Sequence, residues 1–486
     1  MANDPQLTCY GIGKAIYNLY FHPLCKFPGP KIWAASATPG ALSIFSGKAH
    51  EKILSLHTQY GDVVRVGPNA LSFTHPEAWR EVCGHLKQGQ AENGKDPKYL
   101  NEEFDKSLIS ASRERHGPMR RAMAHGFSAR AMAEQQPMIN AYIDAFMTAL
   151  RKCGEDGMRP LNLTEWYEWT TFDIIGDLSF GESFGCLKNH KSHPWVEMLF
   201  STLAAIPLVQ ALKDLPFFKL LAPLYFITMM PSDSLKNQAI VGKFAEESIK
   251  KRLSLPIDRP DFVQAMLKKN PDYEMNEREI TDTCSVLVGA GSETTATTLA
   301  AATYFICAHP QVMKKLNTEV RLAYKTEEEI TIQSVGNLTY MLAVLKETMR
   351  IYPPVPIALA RITPPSGSLV VGRHIEGGTT LNLWQYAMYH KESNFCQPES
   401  FIPNRWLGDE RFDSDQKEIH QPFSLGPRNC LGMNLAYIEM RLILARIIWN
   451  FDMELDPDSQ DWTKGQSVFF FWKKPDLNVR LKPRSR

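Results

Sequence analysis

Phe423-Ser424-Leu425-Gly426-Pro427-Arg428-Asn429-Cys430-Leu431-Gly432 is the stretch on which the reading of this 486-residue chain turns. A Gly/Pro loop ends at one cysteine. An apolar, helix-like run through Leu435, Ala436, Ile438, Met440, Leu442, Ile443 and Leu444 follows it. Cys430 therefore falls where an irregular loop meets a helix N-terminus, beside unpaired N–H groups and the positive end of a dipole. Both lower a thiol's pKa and favour the thiolate, the form that binds metal. Gly426 and Gly432, without a Cβ, let backbone approach something flat and large. Arg428 brings a charge suited to an acidic group on that object. A lone cysteine beside a turn is more often a small buried hydrophobe. The loop as a whole, not its sulfur alone, carries the reading.

Composition narrows the class. Apolar residues make up 44% and charged residues 22%, an ordinary globular balance. The length alone would suggest two or three domains. A net charge of +1 gives no reason to expect a nucleic-acid partner. None of the nine cysteines forms a Cys-x-x-Cys pair, which argues against structural zinc and for reduced thiols on the cytosolic side. No repeat or low-complexity tract interrupts the chain.

A second unusual segment lies upstream. Asn276 followed by Glu279 has the form of a capping box, and a helix is predicted from Glu277 to about Ala308, before Pro310. Its centre, Gly289-Ala290-Gly291-Ser292-Glu293-Thr294-Thr295-Ala296-Thr297-Thr298, is rich in poor helix formers whose hydroxyls compete for backbone carbonyls. Small-residue packing explains the glycines but not the acid–alcohol pair Glu293-Thr294. Further on, Glu347 and Arg350 share a helix face, and Phe401-Ile402-Pro403-Asn404-Arg405-Trp406 follows. His116-Gly117-Pro118-Met119-Arg120-Arg121 reads as a basic patch opening a helix. Val63 to Phe73, Ser368 to Val371 and Thr379 to Leu383 read as short strands, and Gln466 to Phe471 as a hairpin arm. Residues 84–112 read as polar loop, and 136–255 mostly as amphipathic helices. In the apolar run from Leu203 to Pro231, Pro207, Pro216, Pro223 and Pro231 break any membrane span.

Taken together, these segments resemble the cytochrome P-450 superfamily. Phe423 to Gly432 matches its haem signature Phe-x-x-Gly-x-Arg-x-Cys-x-Gly. Ala290 to Thr295 matches its oxygen-activation motif, and Glu347-x-x-Arg350 with Arg405 its buried Glu-x-x-Arg set. The resemblance implies a mainly α fold with a small β-rich lobe, one large unit with a long central helix over the haem. It implies residues 1–30 as the remnant of a membrane anchor and proline-rich hinge, and 31–486 as the haem-thiolate catalytic domain. Cys430 would be the metal ligand of haem b, with Phe423, Gly426 and Gly432 shaping its loop. Arg428, Arg120, Arg361 and His116 would hold the propionates. His116 stands where the family usually has Trp, which loses ring area but keeps an N–H. Thr294 would hold water at the oxygen-binding face, and Glu293 would relay protons to it. Glu347, Arg350 and Arg405 would be structural. Val286, Ala290, Ile357, Leu359, Val468, Phe469 and Phe470 would line an apolar substrate pocket.

The expected activity is hydroxylation or epoxidation of a hydrophobic small molecule, with O2 and two electrons from NADPH through a reductase, and cytochrome b5 as an accessory donor. Tyr17 to Leu24 and the Ala-Gly-Ser-Glu-Thr-Thr centre look like fungal secondary-metabolism members. One alternative is a haem-thiolate catalyst of oxidative coupling, ring closure or rearrangement without oxygen insertion. Another is a haem carrier or gas sensor, which has no need of the acid–alcohol pair. The resemblance to microsomal members implies the cytosolic face of the endoplasmic reticulum membrane; Leu7 to Phe21 is shorter than a span needs, which fits the tail of an anchor or a chain lying on the membrane surface.

Overall fold

The computed structural model describes residues 5–85, 91–97, 106–215, 234–255, 259–268 and 273–484. The fold is mainly α with a small β lobe, as the sequence reading expects. Eight helices matter for the site: α1 (Pro5–Tyr20), α2 (Ala78–Cys83), α3 (Arg113–Ala124), α4 (Leu163–Phe180), α5 (Pro194–Lys213), α6 (Glu277–Ala308), α7 (Thr339–Ile351) and α8 (Met433–Asn450).

The long helix α6 starts at a complete capping box: Asn276 accepts from the Glu279 N–H at 3.0 Å, and Glu279 accepts from the Asn276 N–H at 3.1 Å. Its centre is continuous helix, not the weakened stretch the sequence suggests. The hydroxyls bond back along the ladder instead, Thr294 to the Ala290 carbonyl at 2.8 Å and Thr298 to that of Thr294 at 2.9 Å. Helix α4 packs along α6. The amphipathic pattern expected over 136–255 fails at α4, where nearly every side chain but Glu165 and Glu168 is buried, so α4 is a core helix with only a narrow acidic edge toward solvent.

Pro207 does not break α5 either, which runs through it for 20 residues. By length and composition α5 is the one described helix apolar enough to cross a membrane, and it packs on Thr38–Phe45 and Ser234–Leu253. Pro216, Pro223 and Pro231 lie outside the described residues. The helical run expected from Val335 begins with a 3-10 turn, Ser334–Asn337, before α7.

The β lobe holds a five-stranded sheet of β1 (Val63–Gly67), β2 (Ala70–Phe73), β3 (Gly94–Lys95), β4 (Arg361–Ile362) and β5 (Thr380–Asn382), ordered β1-β2-β5-β4-β3. Leu71, Phe73 and Leu381 fill its core. A second hairpin pairs Ser467–Val468 with Trp472–Lys473. Helix α1 docks by one polar residue: the buried Asn18 donates to the Ala35 carbonyl at 3.0 Å and accepts from Arg65 through its own carbonyl at 2.8 Å. Its apolar residues Tyr10, Ile12, Ile16, Tyr17 and Tyr20 face outward.

Candidate active site

The cysteine loop is shaped by its own backbone. Ser424 adopts φ +59° and Gly426 φ +79°, a 3-10 turn covers Gly426–Arg428, and the Cys430 N–H closes the loop on the Phe423 carbonyl at 2.8 Å. A Cβ on Gly426 would lie 1.9 Å from the Cys83 carbonyl oxygen, so this glycine lets the loop press against the end of α2. Gly432 is the N-cap of α8, and its backbone lies where it favours the Cys430 thiolate. Arg120 clamps the loop from α3, donating to the Asn429 carbonyl at 2.6 Å and to Asn429 Oδ1 at 2.5 Å. Cys430 keeps accessible surface although its thiol is deep. Burial raises its pKa, and the Gly432 backbone and Arg120 only partly offset it. This corrects the expectation that the loop alone lowers it. The thiolate needs a further positive partner, as a coordinated metal provides.

Positive charge gathers beside this loop. His116 is buried, and its pKa is pushed down to about 3 by burial and then by Arg428, Lys95, Arg120 and Arg361. Lys95 and Arg361 stand directly opposite in the β3–β4 ladder, an arrangement that costs stability unless an anion lies between them. Burial, Arg361 and Arg428 push Lys95 down to about 7. Arg361 is 5% exposed, and among the described residues its Nε has no hydrogen-bond partner. Arg428 has an acid partner within the protein, Glu92, at 2.6 Å, and donates to the Ala111 carbonyl at 3.0 Å.

On α6, Ala290 is exposed and Thr294 half-buried, while Val288, Gly289, Ser292 and Glu293 are buried. Glu293 turns away from that open face and pairs with Lys474, which also reaches Glu168 at 3.2 Å and the Thr297 hydroxyl at 2.9 Å.

A charged set lies close to the loop. Glu347, Arg350 and Arg405 have fully buried side chains. Arg350 donates to both Glu347 oxygens at 3.0 and 2.9 Å, and Arg405 Nε to Oε1 at 3.3 Å. Trp406 Nε1 and the Ile402 N–H complete the carboxylate at 2.8 and 3.0 Å. Arg405 also pairs with Asp415. A cavity of about 420 Å³ separates this set from the loop, lined by Lys346, Trp406, His420, Phe423, Ser424 and Tyr437.

Residues 28–480 match the family model described as Cytochrome P450. The chain belongs to the cytochrome P450 family. It is 43% identical over 484 residues, 98% of this chain and 96% of the relative, to a trichothecene C-15 hydroxylase of Fusarium sporotrichioides. It is 41% identical to a cytochrome P450 monooxygenase of Talaromyces wortmannii, over 97% of this chain and 94% of the relative. An averantin hydroxylase of Dothistroma septosporum is 40% identical, over 99% of this chain and 90% of the relative.

As a P450 the protein is a haem-dependent monooxygenase that takes electrons from a redox partner and oxidises a small molecule. Its residues fit the cofactor. The unpartnered Arg361 Nε and the facing Lys95 call for a buried anion, which a haem propionate supplies, and Cys430 presents the soft donor that haem iron takes.

The candidate substrate residues divide. Leu359 is 56% exposed, Ala290 is exposed, and Val286, Ile357, Phe469 and Phe470 are half-buried. Val468, by contrast, is 3% exposed within the main core, its N–H bonded to the Gly47 carbonyl at 2.8 Å. Phe471, beyond the expected set, meets Phe200 of α5 at 6.1 Å between ring centres. Sequence reasoning also missed Lys95, Glu92, Lys474 and Glu168. The signal for Lys474 was indirect, since a buried Glu293 demands a cation that nothing nearby in sequence supplies.

Proposed function

We propose that this P450 hydroxylates a hydrophobic, polycyclic secondary metabolite of terpenoid or polyketide type at the cytosolic face of the endoplasmic reticulum. The observation that carries the reading is the apolar set Val286, Ala290, Ile357, Leu359, Phe469 and Phe470, which has no charge to recognise an ionic substrate. Two of the relatives bear the names trichothecene C-15 hydroxylase and averantin hydroxylase, both hydroxylases.

Haem bound through Cys430 supplies dioxygen activation, which thiolate donation favours. The chain's own residues do the rest. The Gly432 backbone and Arg120 steady the sulfur, and Arg120 fixes the loop through Asn429. Arg361, Lys95, neutral His116 and the free edge of Arg428 hold the propionates. The Glu347–Arg350–Arg405 set fixes the segment leading to the loop, buying geometry more than stability. Thr294 presents its hydroxyl on the open face of α6 and holds water there, while Glu293 supplies protons behind it. The outward face of α1, with Tyr10, Tyr17 and Tyr20 beside Ile12 and Ile16, has the aromatic-rich composition of an interfacial helix. An NADPH-dependent reductase and cytochrome b5 are the proposed electron donors.

The test is reconstitution with an NADPH-dependent reductase and labelled dioxygen against candidate fungal terpenoids and polyketides. One labelled oxygen per product supports the reading. A coupled or rearranged product without label would overturn it in favour of oxidative coupling. Cys430→Ala is expected to abolish the thiolate-type carbon monoxide spectrum. Thr294→Ala is expected to divert most reducing equivalents to peroxide, and product formation as fully coupled as wild type would remove Thr294 from the proton path.

A further inference from the structure

Lys474 is the only described cation within ion-pair reach of Glu293, and it is shared. Its ammonium has three N–H donors and three acceptors: Glu293, Glu168 and the Thr297 hydroxyl. The lysine side chain is 4% exposed and that of Glu293 is 9% exposed, whereas Glu168 on α4 is 24% exposed. The cluster therefore has a dry end on α6 and a wetter end on α4. Glu165, three residues before Glu168, is exposed and senses Asp476, which the Asn162 amide holds at 2.9 Å. A line of carboxyl groups thus leads from the surface to the centre of α6.

Two carboxylates around one buried ammonium carry one negative charge too many, and burial resolves this by retaining a proton. The charged groups facing Glu168 are Lys474, Glu293 and Glu165. Its pKa is pushed up to about 7 by burial, with Glu293 adding and Lys474 opposing. Burial alone would lower the pKa of Lys474, but Glu293 and Glu168 raise it, so the lysine stays charged.

We propose that Glu168 and Lys474 are positioning residues that load Glu293 with protons, Glu168 as the entry and Lys474 as the bridge. The step is balanced. An N–H bond of Lys474 breaks as an O–H bond forms on Glu293, and the Glu168 O–H bond breaks as the N–H bond on Lys474 re-forms. The lysine ends as it began, the proton has moved from Glu168 to Glu293, and Glu168 recharges from the Glu165 side. The proposal rests on the reading of Glu293 as a proton donor to the Thr294 face.

The test uses the haem-loaded enzyme in two measurements. Infrared titration from about pH 5 to about pH 9 is expected to show a carboxyl band with a midpoint near 7 that Glu168→Gln removes. With reductase and NADPH, wild type is expected to show a pH profile breaking near the same midpoint. Glu168→Gln and Lys474→Met are expected to flatten it and to lower the rate by about tenfold or more. Lys474→Arg, which keeps the charge and the donors, is expected to restore the profile in part. A purely structural cluster would leave the profile in place, and that result overturns the proposal, as does a carboxyl band with a midpoint near 7 that survives unchanged in Glu168→Gln. Glu293→Gln separates the two levels. If it changes the profile while Glu168→Gln does not, only the loading route falls. If Glu293→Gln changes nothing, the proton role of Glu293 itself is lost.

Discussion

At the scale of single residues, the two glycines around Cys430 do different work. Gly426 has φ +79° and no room for a Cβ beside the Cys83 carbonyl. Gly426→Ala should cost about 1–3 kcal/mol from backbone strain, with the clash in addition. Gly432 has an ordinary φ of −84°, and the nearest atoms to a built Cβ, Cys430 Sγ and a Phe127 ring carbon, are 4.0 Å away. Gly432→Ala should leave denaturant unfolding within about 0.5 kcal/mol of wild type, while changing the absorption spectrum of the bound haem. Equal losses of stability in the two variants would contradict this division. Glu347 gives a sharper case. Its removal leaves Arg350 and Arg405 buried without the carboxylate they share. Glu347→Ala should cost about 3–5 kcal/mol in unfolding experiments and release haem. Glu347→Gln, which keeps acceptors for Trp406 and Ile402, should cost less. These three charged residues were legible in the sequence because two share a helix face and the third follows in a recognisable segment. Lys95 and Glu92 were not, because their importance comes from the strand pairing that sets Lys95 against Arg361 and from the fold that brings Glu92 to Arg428.

At the scale of elements, α6 shows which sequence signals survive folding. Its limits were readable at both ends, since the Asn276/Glu279 box starts it and Pro310 follows its last turn. Asn276→Ala should lower stability by about 1 kcal/mol, seen as a shift in the thermal midpoint with little change in the carbon monoxide spectrum. Its centre was misread as weak because propensity counts each threonine as a loss. In place, the Thr294 and Thr298 hydroxyls bond to carbonyls four residues back, that of Thr297 bonds to the Glu293 carboxylate, and α4 covers the helix, so tertiary packing overrides propensity. The same override carries α5 through Pro207. Partners such as Lys474 for Glu293, 181 residues apart, are set by how the second hairpin meets α4 and α6, and no local pattern encodes them.

At the scale of the whole molecule, buried titratable groups set how stability depends on pH. Besides His116 at the site, four buried or partly buried histidines have pKa values pushed down chiefly by burial: His50 and His57 to about 4, His390 and His420 to about 3. In the unfolded chain each titrates near 6.5, so unfolding takes up protons below that pH. Their contribution is intact above about 6.5 and is lost as pH falls toward 4 and 3, giving an acid limb on which stability rises with pH. Glu439 on α8 acts in the opposite sense. It is 2% exposed, and burial pushes its pKa up to about 8. The folded form holds a proton that the unfolded form has released above about 4.5, so its contribution declines as pH rises from there to about 8. Glutamine mimics the neutral acid at every pH. Glu439→Gln should therefore match wild type near pH 4.5, and gain on it by up to about 1.4 kcal/mol per pH unit toward pH 8. Chemical unfolding of both proteins at several pH values checks this. A difference between them that stays constant across the range would mean that Glu439 is ionised in the folded protein, and that the acid limb stands without a counterweight on α8.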